Sequence, residues 1–207
     1  TLFPYTTLFR SIEFEFPFGF KELEGIHSRT DYDLAKHQEF AEKKMQYFDP
    51  DLNESYVPYV IETSIGLDRM FLALMTTALQ EETVPDAEGK DSTRTVLKLP
   101  PALAPVKCAV LPLLKNREEL TARAREVYDK LKFSFLCQYD EKDAIGRRYR
   151  RQDAIGTPYC VTIDFDTLED NTVTIRERDS LEQIRVPIDE VEEIVRKRVD
   201  MGALLRG

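Results

Sequence analysis

The chain has 207 residues, 42% of them hydrophobic and 32% charged, which is enough apolar material for a buried core and too much for general disorder. No run of about 18 apolar residues occurs, which excludes an ordinary transmembrane helix. Three scattered cysteines with no CxxC pair, and only two histidines (His27 and His37), argue against a disulfide framework, a zinc module or a His-rich metal centre, and for a reducing compartment. The net charge of −9 is unevenly spread: residues 1–103 hold 10 Lys+Arg against 18 Asp+Glu, residues 104–207 hold 19 against 20. The second half is near neutral, and its basic cluster of Arg147, Arg148, Arg150 and Arg151 leaves room for a polyanion despite the total.

Residues 1–11, TLFPYTTLFRS, have no consistent apolar period and lack the basic start, apolar centre and cleavage site of a signal peptide. All eleven resemble the conceptual translation of a widely used sequencing-adapter oligonucleotide, so this segment is set aside as non-native. On that reading the authentic chain is entered at Ile12, in mid-gene.

From Ile12, apolar Ile12, Phe14 and Phe16 alternate with Glu13 and Glu15, the period of a half-buried strand. FGFKELEGI reads as a short turn-rich passage between Gly19 and Gly25, and residues 31–47 as a peripheral charged helix. FDPDLNES reads as a loop and YVPYVIETS as a strand. Leu67, Met70, Phe71, Leu74, Met75 and Ala78 recur at three and four, which predicts an amphipathic helix from Leu67 to about Glu82. TVPDAEGKDSTRT reads as a polar connector, and VLKLPPALAPVK, with three prolines, as a stiff linker ending a first unit near Ala104. Strands are then predicted at 107–113, 133–139, 159–164 and 172–178, with 182–186 pairing with the last of these. Helices are predicted at 117–131, 144–153 and 188–199. This alternation describes a compact α/β domain of about 100 residues. The closing MGALLRG reads either as a frayed tail or as the gene's true end.

The stretch richest in chemistry is YVIETSIGLDRM. On a strand, Glu62 and Ser64 share one face, and a carboxylate beside a hydroxyl suits an ammonium group. Gly66 lets a ligand approach the backbone closely. Arg69 falls in the first turn of the next helix, where the helix dipole disfavours a cation, so its presence points to an anionic ligand. The alternative is a plain strand–turn–helix with Glu62 exposed and Arg69 paired to a surface acid.

ETSIGLDR followed by an amphipathic helix resembles motif 3 of the class II aminoacyl-tRNA synthetases. With GFKELEGIHSRTDYDL upstream and RQDAIGTPYCVTIDFDTLEDNTVTIRERDSLEQIRV downstream, the chain from Ile12 to Val199 is similar to bacterial-type glycyl-tRNA synthetases. The resemblance implies an α/β fold in two parts. Residues 12–103 would be the late part of a catalytic domain, an α+β remnant of antiparallel strands carrying the motif 3 strand and helix. Residues 104–207 would be an anticodon-binding domain with a mixed sheet.

It also implies roles. Glu62, Thr63, Ser64, Ile65 and Gly66 would line the glycine pocket, with Glu62 and Ser64 on the substrate ammonium. Gly66, Leu67, Asp68 and Arg69 would contact ATP, with Arg69 near the γ-phosphate, and Glu62 and Arg69 would be the residues closest to catalysis. Glu22 and Leu23 would also contact ATP, and Glu22 is the residue offered to Mg2+. The implied reaction activates glycine with ATP and passes the glycyl group to the 3′ end of tRNA-Gly, in a cytoplasmic homodimer that touches no membrane. Motif 1, the dimer element, and motif 2, with its α-phosphate arginine, are not present, so the resemblance implies a fragment unable to activate glycine alone.

In the second half, DAIGRRYRRQDAIGTPYC and RERD offer Arg147, Arg148, Tyr149, Arg150, Arg151, Arg176 and Arg178 to tRNA, since arginine and tyrosine grip phosphates and stack on unpaired bases. The alternative is a solvated helix face paired with Asp143 and Asp153. Cys160, in an apolar run, reads as core. The rival from another class is a non-catalytic nucleic-acid-binding accessory protein on the same scaffold, as in the accessory subunits of one mitochondrial DNA polymerase. Retention of Glu62, Ser64 and Arg69 together favours the ligase.

Overall fold

A computed structural model describes residues 8–85, 89 and 91–206. Residues 1–7 of the adapter-like segment lie outside the described residues, while residues 8–11 begin the first strand. The chain divides into two compact units, Thr1–Thr76 and Thr77–Gly207.

The first unit is built on an antiparallel sheet in the order β1-β2-β5, from β1 (Leu8–Phe16), β2 (Gly19–Thr30) and β5 (Val60–Ile65). The expected alternation in β1 holds at Phe14 and Phe16, which turn inward between exposed Glu13 and Glu15, but Ile12 is 49% exposed. The passage read as turn-rich is instead the twelve-residue central strand β2. Gly25 misled the reading: it sits inside β2, buried, paired to Ser11 on one side and Ser64 on the other, a crowded position rather than a turn. Helix α1 (Tyr32–Ala41) stops well before Tyr47, and its residues include none that is buried. The FDPDLNES loop closes as a small hairpin, β3 (Tyr47–Asp49) with β4 (Glu54–Tyr56), its Tyr47 and Tyr56 rings meeting edge to face at 6.0 Å. Helix α2 (Leu67–Ala78) follows β5 directly.

The second unit carries a mixed five-stranded sheet in the order β12-β11-β10-β8-β9. Its strands are β8 (Cys108–Pro112), β9 (Cys137–Tyr139), β10 (Tyr159–Ile163), β11 (Thr172–Glu177) and β12 (Gln183–Pro187). β9 and β10 run parallel to β8 on its two sides, and β11 and β12 continue antiparallel, as expected for Thr172 onward. Every residue of β8 and β10 is buried, because a central parallel pair is covered on both faces. One face packs Leu120, Ala124 and Val127 of α3 (Glu118–Leu131) and Val191 and Val195 of α6 (Val191–Arg198) against Val110, Val161 and Val173. The other face, Ala109, Leu111 and Cys160, packs against Ile145 and Tyr149 of α4 (Ile145–Ile155).

Two further helices were not expected from the sequence. α5 (Phe165–Asp170) opens on a capping box in which Asp164 accepts from the Thr167 amide at 3.0 Å, and α7 (Met201–Arg206) forms from MGALLR. The polar connector is in fact a hairpin, β6 (Leu79–Pro85) with β7 (Asp91–Leu97), so α2 ends at Ala78 rather than near Glu82. Thr83, Val84, Thr93, Thr95 and Val96 supply the β-branched residues a strand favours. The proline-rich stretch is pinned rather than free: Leu97, Leu99, Ala104 and Val106 are buried, and Lys107 donates to the Ala102 carbonyl at 2.7 Å. The hairpin and this stretch fall in the second compact unit, Thr77–Gly207.

Candidate substrate face and nucleic-acid interface

In the first unit, β5 pairs with β2 so that Glu62 lies opposite His27 and Ser64 opposite Gly25. Glu62, Thr63, Ser64, Ile65 and Gly66 are all exposed, as are Leu67, Asp68 and Arg69 at the start of α2. The Arg69 guanidinium donates to the backbone carbonyl of Glu22 on β2. Three residues assigned separately to ATP, Glu22, Gly66 and Arg69, are thereby brought together, with Leu23 next to Glu22. A Cβ on Gly66 would meet only the aliphatic part of Arg69, at 3.7 Å or more.

Glu62 has a neighbour the sequence reading missed. Arg29 at the end of β2 lies 3.4 Å from the Glu62 carboxylate and holds Asp33 in a fork of 2.7 and 3.1 Å. The hydrogen bond to Arg29 sets Asp33 below the usual carboxylate range. Arg29 and Asp33 stand four apart in SRTDYDL, the only trace of this pair in the sequence.

The arginines of the second unit divide by environment. Arg148 is 1% exposed. It donates to three backbone carbonyls, of Pro112, Lys142 (3.2 Å) and Asp143 (2.7 Å), and burial lowers its pKa. Arg176, also buried, forks onto Asp153 at 2.8 and 3.0 Å and lies 4.7 Å over the Tyr149 ring. Arg178 donates to the carbonyls of Leu97, Gly156 and Leu99 at 2.9, 2.8 and 2.8 Å and to Asp179. Tyr149 shares a hydrogen bond of 2.6 Å with Thr162, and burial pushes its pKa up. These four side chains face inward and are committed to the protein.

The remaining three are at the surface. Arg151 is paired with Asp140 at 2.7 Å and Asp143 at 2.9 Å, close to the alternative of a helix face paired with nearby acids. Arg150 is half-buried and reaches Ser92 at 3.4 Å. Arg147 is exposed, with no side-chain partner among the described residues.

A cavity of about 430 Å³ lies at the carboxyl end of β8, formed by residues 113–116 and by Asp143, Ala144, Ile145 and Arg148 at the start of α4. Leu113, Leu114 and Ile145 make it mostly apolar, and Asn116, Asp143 and Lys115 add polar groups. β8 has parallel neighbours reached in opposite directions, and crevices outside the carboxyl ends of such strands are where open α/β sheets receive ligands. An apolar slot with a few convergent polar groups suits a flat heterocycle. Residues 113–116 were not singled out from the sequence, where they read only as the end of a strand.

Residues 107–198 match the anticodon binding domain family. The chain is 53% identical over 196 residues to a glycine–tRNA ligase of Clostridium perfringens, a match covering 95% of this chain and 41% of that protein. It is 54% identical over 181 residues to the glycine–tRNA ligase of Treponema denticola, covering 87% of this chain and 40% of that one. The solved structure of Giardia lamblia prolyl-tRNA synthetase in complex with prolyl-adenylate superposes with a TM-score of 0.62 at 18% identity, over 95% of this chain and 40% of that one. That likeness shows the α/β fold. The resemblance to glycyl-tRNA synthetases read from the sequence therefore holds along nearly the whole chain, which spans about 41% of the length of the relatives it matches.

Proposed function

We propose that this chain is a portion of a glycine–tRNA ligase in which the second unit binds the anticodon arm of tRNA-Gly. The observation that carries the reading is the cavity at the carboxyl end of β8, lying within residues 107–198 that match the anticodon binding domain family. An unpaired base would enter between Leu113 and Ile145, with Asn116 and Asp143 on its polar edge. Arg147 and Lys115, both exposed, would meet adjoining phosphates.

The exposed turn from β5 into α2 supports the substrate half of the proposal. Glu62 and Ser64 would hold the ammonium of glycine, with Arg29 needing to yield part of its hold on Glu62. Arg69 would meet ATP phosphate, fixed in place through the Glu22 carbonyl, and the exposed backbone at Gly66 would let the nucleotide approach closely. Leu23 would pack against it, and Glu22 is the carboxylate available to Mg2+. Dimerisation and a cytoplasmic location rest on the resemblance alone. Without the α-phosphate arginine of motif 2, the 207-residue chain by itself gives no glycine-dependent exchange of pyrophosphate into ATP. Catalysis of this kind depends on a complete set of positioned charges rather than on one acid or base.

Equilibrium binding tests the RNA part. The chain should bind whole tRNA-Gly at least about tenfold more tightly than an acceptor-stem minihelix lacking the anticodon arm, both at about 150 mM salt. Equal affinities would overturn the reading.

A further inference from the structure

The hairpin β6–β7 precedes the residues that match the anticodon binding domain family, yet one of its side chains is among the most deeply buried of the second unit. Arg94, on β7, is 2% exposed. Its Nε and Nη2 donate to Glu82 at 3.0 and 2.7 Å, and its Nη1 donates to Asp153 at 3.0 Å and to the Arg178 carbonyl at 2.8 Å. Asp153, 0% exposed, stands near the end of α4; Arg94 meets its Oδ2, and Arg176 from β11 donates to both Oδ1 and Oδ2. Lys98 pairs with Glu82, so charges alternate along Lys98, Glu82, Arg94, Asp153 and Arg176.

A buried carboxylate shared by two guanidinium groups is costly to disturb, because removing either partner leaves charge uncompensated away from water. The clamp grips the last turns of α4. The first turn of the same helix lines the cavity and carries Arg147. A two-to-three-turn helix is a stiff rod rising about 1.5 Å per residue, so what fixes one end sets the direction of the other. The exposed residues described on the hairpin's two strands include the acidic Glu81 and Asp91.

We infer that Arg94 is a positioning residue for RNA binding: through Asp153 it makes the hairpin β6–β7 a brace that aims the first turn of α4. The inference rests on the reading that this unit binds the anticodon arm. Coupling between sites is reciprocal. RNA held at the start of α4 therefore stabilises the hairpin through that helix.

Hydrogen exchange of the whole chain, with and without the anticodon stem-loop of tRNA-Gly, tests this on the wild type, Arg94→Met and Glu82→Gln. In the wild type, bound RNA should slow exchange in β7 as well as in α4. Arg94→Met should weaken stem-loop binding about tenfold or more and abolish the RNA-dependent protection of β7. Glu82→Gln leaves the Asp153–Arg176 pair in place and should weaken binding by a smaller factor, so the idea remains testable if Arg94→Met does not fold. RNA that protects α4 but leaves β7 unchanged, or a folded variant of wild-type affinity, would overturn the brace. Absence of stem-loop binding by the wild type would instead overturn the RNA reading. The brace is then judged on the free protein: faster α4 exchange in either variant supports it, and unchanged α4 exchange sinks it.

Discussion

At the scale of single residues, seven side chains of similar sequence character do different work. Arg147 and Arg148 are adjacent, but successive residues on a helix point about 100° apart, so one faces water and the other fills the interior. Replacing Arg148 by Met removes the donor from three carbonyls and should cost about 3 kcal/mol in urea unfolding. Replacing Arg147 by Ala should leave stability within about 0.5 kcal/mol, yet weaken tRNA binding and reduce its salt slope by about one. The opposite pattern would mean that the inner and outer roles are exchanged. Ile145, Tyr149 and Gln152 with Arg148 recur at three and four, so the inward stripe of α4 was legible in RRYRRQ had polar residues been allowed to form it. Runs of arginine read as surface by composition, and composition carries no direction.

Asp164 gives a pH signature at the same scale. Hydrogen bonds from Arg185, and then from Thr167, bring its carboxyl down to about 2. A depressed carboxyl pKa adds stability above the unfolded value near 3.9, and that stability is lost as pH falls through about 2. Asp164→Asn should therefore be less stable than the wild type by about 1 kcal/mol at neutral pH, a figure that allows for solvent screening, and the gap should close by about pH 2. A gap that persists in acid would remove Arg185 as its cause. Cys160, pushed up to about 12 by burial, should not react with a thiol reagent until the chain unfolds, nor should buried Cys108 and Cys137.

At the scale of elements, strands with strong apolar character were readable, and β8, β10 and β11 lie close to where Lys107, Tyr159 and Thr172 placed them. What escaped were elements made of polar or glycine-containing segments. β2 holds Gly19 and Gly25, and β6 and β7 hold glutamate and threonine, so their pairing is set by neighbours in space rather than by their own period. The turn after α4 shows how such contacts act back on local sequence. Gly156 has φ +84°, and a Cβ there would lie 3.0 Å from the Leu97 carbonyl, which also accepts from Arg178. Gly156→Ala should cost about 1–3 kcal/mol in urea unfolding and release the proline-rich stretch to proteolysis. Wild-type stability in that variant would show that the turn relaxes without loss.

At the scale of the molecule, the two units differ in how completely they cover their apolar surface. The second buries a continuous core on both faces of its sheet. The first leaves Ile61, Ile65, Leu67 and Phe71 exposed, and β1 and β5 are the outer strands of its sheet. Open strands bearing apolar side chains invite association, so light scattering should show concentration-dependent self-association that Ile61→Lys reduces. Of the candidate site, the turn that resembles motif 3 could be singled out in the sequence because Glu62, Ser64, Gly66 and Arg69 lie close together in one short segment. The cavity could not be, because residues 113–116 and 143–148 meet only once the sheet is built. The central claim, that the second unit recognises the anticodon rather than merely attracting phosphate, is tested most directly by binding tRNA-Gly and the same tRNA with its anticodon replaced, at about 150 mM salt. The account predicts a preference for the native anticodon of about tenfold or more that survives a rise in salt. Equal binding of the two RNAs, fading together as salt increases, would contradict it.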